Sequence, residues 1–186
     1  MGRRKRVLLL CAEGVEEMEF ITIADIISRS GIKVVTAGVD SYHGVYGRQG
    51  FYIRPDYYLG DLITHRFDAV ILPGGEGAAQ AFTDSETVGK VLKEQDKRGD
   101  LVCAMCLSLH ALKMHGIGYN CKITSYPSLK NELKNSYKYS NAPVVVDDNL
   151  VTSRGPGTTA YFALKIIELL IDKTTSKNVA ESMLIT

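Results

Sequence analysis

Cys106 stands where a short apolar run of strand character, residues 101–105, gives way to a helix-period pattern that reaches Met114. A thiol at such a changeover has a physical reason to be reactive. The first N–H groups of a helix lack intrahelical partners and carry the positive end of its dipole, so they favour thiolate over thiol. The alternative is a buried strand in which Cys103 and Cys106 serve as small hydrophobes. Two other stretches hold groups that such a thiolate would use. Gly74 and Gly75 let the backbone come close to a substrate and turn N–H groups towards a developing oxyanion, although a plain strand-to-helix turn would use the same pair. Glu16, Glu17 and Glu19 fall in a first helical turn, where the dipole favours acids in any case. A carboxyl buried against a thiolate would behave differently: desolvation and the neighbouring charge would keep it protonated, able to hydrogen-bond the sulfur and then to move a proton.

Whether these groups meet depends on the elements that carry them. Residues 7–12 form a near-continuous apolar run, as expected of a strand buried on both faces of a parallel sheet. Residues 16–30 follow helical spacing and are closed by Gly31; residues 32–39 read as a second buried strand. That βαβ unit implies a right-handed crossover and a parallel sheet. Residues 41–56, interrupted by Gly44, Gly47 and Gly50, read as an excursion of hairpin character. A third strand over 67–72 runs into Pro73, a short helix covers 78–82, and a longer one spans 85–98 with Asp84 or Ser85 as cap. After the strand 101–105 come a helix over 108–115 stopped by Gly116, a short strand over 122–126, and a helical piece from Pro127 to about residue 135. Residues 144–146 and 150–153 flank the turn Asp147-Asp148-Asn149. The final helix, after Gly155-Pro156-Gly157, is apolar nearly all round from Ala160 to Ile171, so it is either deeply buried or shared with a second subunit. No repeat or linker divides the chain, and residues 1–186 are expected to form one doubly wound α/β domain. In such a sheet ligands bind outside the carboxyl ends of the strands, so the segments after the first, third and fourth strands should converge.

Composition sets the class. A chain of 186 residues, 45% hydrophobic and 23% charged, suits one soluble domain, and a formal net charge of +1 offers no field for nucleic acid or an acidic membrane. No apolar run approaches the roughly 18–20 residues of a membrane span. The basic start, Met1 to Arg6, is followed by too short an apolar run for a secretory signal, and Arg6 occupies the place where a myristoylation pattern needs Ser or Thr. A cytoplasmic location, with nuclear entry also open, is the expectation. The 4 cysteines are read as reduced thiols. Cys103 and Cys106 have C-x-x-C spacing, but on a strand their side chains leave on opposite faces. His110 lies one helical turn beyond Cys106 and could share its helical face; with His115 it reads first as a packing or dimer-surface residue, a catalytic role for His110 being the weaker alternative, and no two histidines, His43 and His65 included, have zinc spacing.

Taken together, Glu13-Gly14-Val15-Glu16-Glu17-Met18-Glu19, Leu72-Pro73-Gly74-Gly75, Ala104-Met105-Cys106 and Thr152-Ser153-Arg154-Gly155-Pro156-Gly157-Thr158 resemble, in order and spacing, the ThiJ/PfpI superfamily, and within it the DJ-one branch of deglycase and glyoxalase III type. The resemblance implies a flavodoxin-like homodimer with a nucleophilic Cys106 on a strained strand-to-helix turn and Glu19 protonated beside the sulfur. It places the oxyanion donors on the backbone N–H groups of Gly75 and Leu107, Gly74 in the pocket, Arg48 and Arg154 in the pocket or dimer interface, and Met18 facing the partner. The implied activity is a glutathione-independent glyoxalase or protein deglycase acting on small reactive aldehydes or glycated protein without metal or other cofactor. The alternative is an oxidative-stress sensor or redox-regulated chaperone in which Cys106 is oxidised to sulfinate. Two positions depart from the pattern. Leu107-Ser108-Leu109 replaces small residues and a proline, and Tyr126 replaces a histidine that approaches the thiol. A phenol is a poor base at neutral pH but a fair donor, and Leu107 in the place after the cysteine disfavours the protease-like branch.

Overall fold

A computed structural model describes residues 3–40 and 42–185; Met1, Gly2, Ser41 and Thr186, and with them the start of the basic stretch and of the glycine-rich excursion, lie outside the described residues. Strand β1 (Arg6–Cys11) is buried from Val7 onward, as its unbroken apolar run requires. It leads into α1 (Glu17–Arg29) and the parallel strand β2 (Lys33–Gly38). The glycine-rich excursion is a small antiparallel hairpin, β3 (Val45–Tyr46) and β4 (Tyr52–Ile53), followed by the short edge strand β5 (Tyr57–Tyr58). Then come β6 (Ala69–Leu72), α2 (Glu76–Asp84) and α3 (Glu86–Lys97), the last capped by Ser85, whose hydroxyl accepts from Val88 N–H at 3.3 Å. Next are β7 (Leu101–Met105), a 3₁₀ turn, and α4 (Leu109–His115), closed by Gly116 in the left-handed conformation.

The strand read over 122–126 is only two residues of regular pairing, β8 (Lys122–Ile123), because Thr124 N–H turns aside to the Thr152 hydroxyl and Tyr126 N–H to the Cys106 carbonyl. After a 3₁₀ turn at Pro127 come α5 (Lys130–Leu133) and β9 (Lys138–Tyr139), which pairs with β8. The hairpin of β10 (Val144–Asp147) and β11 (Leu150–Ser153) precedes α6 (Thr159–Leu170) and α7 (Lys173–Ser182).

The main sheet has 7 strands in the order β10-β11-β7-β6-β1-β2-β5, parallel except for β10. Helix α6 packs against both α1 and α7, and α2, α3 and α4 pack on one another. Packing within the chain accounts for part of the apolar circumference of α6: Phe162, Ala163, Ile166 and Ile167 are buried, whereas Leu169 and, just past the helix end, Ile171 remain exposed. From β1 the chain first steps outward to β2 and later returns to β6 on the other side, so the order in which strands are added reverses between β1 and β6, which remain parallel. A crevice opens at the carboxyl ends of strands at such a reversal, and it is here that Glu19, Gly74 and Cys106 are delivered.

Candidate active site

In the β6–β7 pairing Leu72 lies opposite Ala104; two residues further along the two strands stand Gly74 and Cys106. Cys106 breaks from β7 at φ 58°, a left-handed conformation that costs a residue with a β-carbon about 1–3 kcal/mol. Its surroundings hold it there. The Ser108 hydroxyl donates to the Pro73 carbonyl, and Tyr126 N–H donates to the Cys106 carbonyl at 3.2 Å. The helix that follows opens as a 3₁₀ turn, so Leu107 N–H, rather than a full α-helical first turn, faces the sulfur.

Glu19 arrives from the first turn of α1 and is 0% exposed. Gly74 N–H donates to its Oε2 at 2.5 Å, while the buried Oε1 has no hydrogen-bond partner, and the carboxyl lies beside the Cys106 thiol around Gly74. Gly74 can take this place only without a side chain: a β-carbon there would lie 2.5 Å from Cys106 Cβ and 2.6 Å from Glu19 Oε2. Gly75, at φ 100°, turns its own N–H to the sulfur, and a β-carbon on it would run into the Gly14 carbonyl.

Burial raises the Glu19 carboxyl to about 7, and the nearby Glu16 charge adds to this against the hydrogen bonds from Gly74 and Cys106. The Cys106 thiol is also pushed up, first by burial and then by the charge of Glu19 and the hydrogen bond to it; the N–H groups of Leu107 and Gly75 bring it partway back. The helix-terminus effect therefore does not by itself yield a thiolate. The charge of Glu19 is one of the causes that oppose ionisation of the sulfur, and a proton on Glu19 removes it. Cys11, Cys103 and Cys121 are pushed up by burial too, and none of them receives a backbone N–H that favours its thiolate.

All four cysteines are free, and Cys103 is buried in the core apart from Cys106. Cys106 is 6% exposed at the floor of a cavity of about 460 Å³, walled by Arg48, Gln80, Leu107, His110 and Tyr126 among others. Arg48 approaches Glu16 Oε2 at 4.0 Å. Arg154 is not brought to this cavity. Its guanidinium donates to the Asn141 carbonyl, and it borders a neighbouring groove shared with Tyr126. Met18 is 58% exposed on the outer face of α1. His115 is structural, with Nε2 bonded to the Phe82 carbonyl at 2.8 Å. Sequence reasoning missed the partner of His110: its Nδ1 lies 2.6 Å from Glu132 Oε1 on α5, a contact between separate elements that no local spacing announces. Among the described residues no group of three or more His, Cys, Asp or Glu side chains could hold a metal ion. Among them, too, no helix is long and apolar enough to cross a membrane.

The sequence pattern of the DJ-1/PfpI family matches residues 5–169. The chain belongs to that family. Drosophila melanogaster dj-1beta is 43% identical over 182 residues, 97% of either chain. The Drosophila DJ-1beta crystal structure superposes with a TM-score of 0.97 over 99% of this chain and all 100% of the other, at 42% identity. The glutathione-independent glyoxalase DJR-1.2 of Caenorhabditis elegans is 37% identical over 170 residues, 91% of this chain and 90% of that one. Oxidized Toxoplasma gondii DJ-1 is 30% identical, with a TM-score of 0.91 over 97% of this chain and 98% of that one. The flavodoxin-like architecture expected of a DJ-1/PfpI chain is thus the one observed.

Proposed function

We propose that the protein is a cofactor-free, glutathione-independent glyoxalase that converts small 2-oxoaldehydes such as methylglyoxal into 2-hydroxy acids. The observation that carries this reading is a buried Glu19 carboxyl set beside the Cys106 thiol, which itself lines an open cavity. With the proton on Glu19, the Cys106 thiolate adds to the aldehyde carbon, and the alkoxide forms beside the N–H groups of Gly75 and Leu107. Glu19 gives its proton to that oxygen. The resulting carboxylate then takes the hydrogen of the same carbon and delivers it to the neighbouring carbonyl carbon, while the hydroxyl proton passes to the neighbouring oxygen through the enediol, leaving a 2-hydroxyacyl thioester on Cys106. Hydrolysis releases lactate from methylglyoxal and restores the thiol. A carboxyl raised to about 7 suits both halves of this exchange near neutral pH. The name of the C. elegans relative supports the same chemistry. Early sugar-aldehyde adducts on proteins are a further substrate class for the same thiol. Purified protein forming lactate from methylglyoxal, with Cys106→Ala inactive, is the expected result; equal rates for the two would refute the reading.

A second reading has its own support. The same donors would stabilise a Cys106 sulfinate, and a relative of this fold has been captured as oxidized DJ-1. Mass spectrometry after graded peroxide should find Cys106 oxidised before Cys121; equal oxidation of the two counts against it. For assembly we infer a homodimer, supported by Met18 and Ile21, which are 58% and 53% exposed on one helix, α1.

A further inference from the structure

The proposed reaction ends in a thioester, and its hydrolysis needs a base on the side from which water arrives. Glu19 is poorly placed to act there. It is fully buried, it is not among the residues that line the cavity, and its Oε2 is held by Gly74 N–H. On the cavity side the titratable and charged groups are Arg48, Glu76, Cys106, His110 and Tyr126. Of these, Arg48 approaches Glu16 only at 4.0 Å, and His110 is held by a carboxylate at hydrogen-bond distance. It sits one helical turn beyond Cys106 and borders the same cavity, and its Nδ1 lies 2.6 Å from Glu132 Oε1. Lys113, on the same helix as His110, donates to the same oxygen at 3.3 Å. Burial pushes the Glu132 carboxyl up, but hydrogen bonds and charges from His110 and Lys113 outweigh it and hold Glu132 below the usual carboxylate range. An ionised Glu132 fixes the imidazole tautomer with its proton on Nδ1, which leaves Nε2 as an acceptor. Among the described residues Nε2 has no hydrogen-bond partner, and His110 makes no hydrogen bond to Cys106. The imidazole is therefore available to a water or substrate in the cavity rather than to the resting thiol.

We propose that His110, aligned by Glu132, is the base that activates water for hydrolysis of acyl-Cys106. As the water oxygen bonds to the acyl carbon, its proton passes to His110 Nε2 and the carbonyl pair moves onto oxygen beside the N–H groups of Gly75 and Leu107. That pair then returns, the carbon–sulfur bond breaks, and the departing sulfur takes up the proton from His110. The net change is one water consumed, one acid released and the thiol regenerated. Glu132 is a positioning residue, steadying the imidazolium between the two proton transfers. The proposal rests on the glyoxalase reading only for the origin of the acyl group.

Hydrolysis can be tested without any aldehyde. Wild type, His110→Gln and Glu132→Gln are acetylated with p-nitrophenyl acetate, and loss of acetyl from the Cys106 peptide is followed by mass spectrometry between pH 5 and 9. Melting temperature and the rate of Cys106 alkylation by iodoacetamide are measured alongside. Deacylation of His110→Gln is expected to be about 100-fold slower than wild type. Its pH profile should lose an ionisation present in the wild type, Glu132→Gln should shift that ionisation, and folding and alkylation should be unchanged. The proposal is overturned if His110→Gln deacylates as fast as wild type, if its alkylation falls in the same proportion, or if wild type does not acylate at Cys106. Methylglyoxal turnover separates the two ideas. A protein inactive on the aldehyde but with His110-dependent deacylation refutes the glyoxalase reading alone; an active protein with His110-independent deacylation refutes this proposal alone.

Discussion

The Glu19 carboxyl and the Cys106 thiol, delivered by the start of α1 and the end of β7, meet beside Gly74, and their coupling is one-sided: the charge of Glu19 raises the thiol, whereas the thiol lowers the carboxyl, whose own rise comes from burial. The resulting ionisations are properties of the pair that neither stretch of sequence possesses alone.

A first consequence concerns stability. Glu19 is raised from 4.5 to about 7 in the folded protein, so between those values the folded chain binds a proton that the unfolded chain has lost. Its contribution is fully present below about 4.5 and disappears as pH rises through about 7. The change amounts to about 3 kcal/mol at most. The melting temperature of wild type should accordingly drop more than that of Glu19→Gln between pH 5 and pH 8; parallel profiles would contradict a buried, protonated Glu19.

Gly74→Ala is expected to disable the site. Its new methyl would have to displace either Cys106 Cβ, 2.5 Å away, or Glu19 Oε2, 2.6 Å away. Overpacking of that kind costs about 1–3 kcal/mol, and the methyl also disturbs the backbone N–H that bonds the carboxyl. Chemical denaturation and iodoacetamide labelling should show a less stable protein with altered Cys106 reactivity. Unchanged labelling would show that the close approach is not required.

The homodimer reading predicts a solution mass twice the 20.4 kDa of the chain, reduced towards the monomer by Met18→Arg, since the exposed Met18 side chain would become a charge buried against the partner. Light scattering on the two proteins decides it, and a monomeric wild type would set the reading aside.

Much of this is legible in the sequence because it follows from local rules. The unbroken apolar run of β1, the glycines that break up the β3–β4 hairpin and the C-terminal Gly116 of α4 each express their own backbone physics. The approach of Glu19 to Cys106 is legible only as a convergence at strand ends, and the β6–β7 register turns that convergence into contact. What escapes depends on tertiary context. Helix α7 is polar along most of its length and buries little more than Ser176 and Val179; its Asp172 cap, accepting from Thr175 N–H at 2.7 Å, is the one local signal. Strand β9 is two residues long, too short to show any period. The direction of the Cys106 shift is not legible, because helix-terminus reasoning counts the N–H donors but not the burial that outweighs them. Glu132 gives no sign of its pairing with His110, since α5 reaches α4 only through the folded chain.

The most direct test of the central claim is lactate formation from methylglyoxal by wild type, Cys106→Ala and Glu19→Gln at neutral pH. Steady turnover is predicted for wild type, none for Cys106→Ala, and a loss of about 100-fold or more for Glu19→Gln, whose amide cannot carry the proton between carbons. Wild type no faster than Cys106→Ala, or Glu19→Gln as fast as wild type, would contradict it.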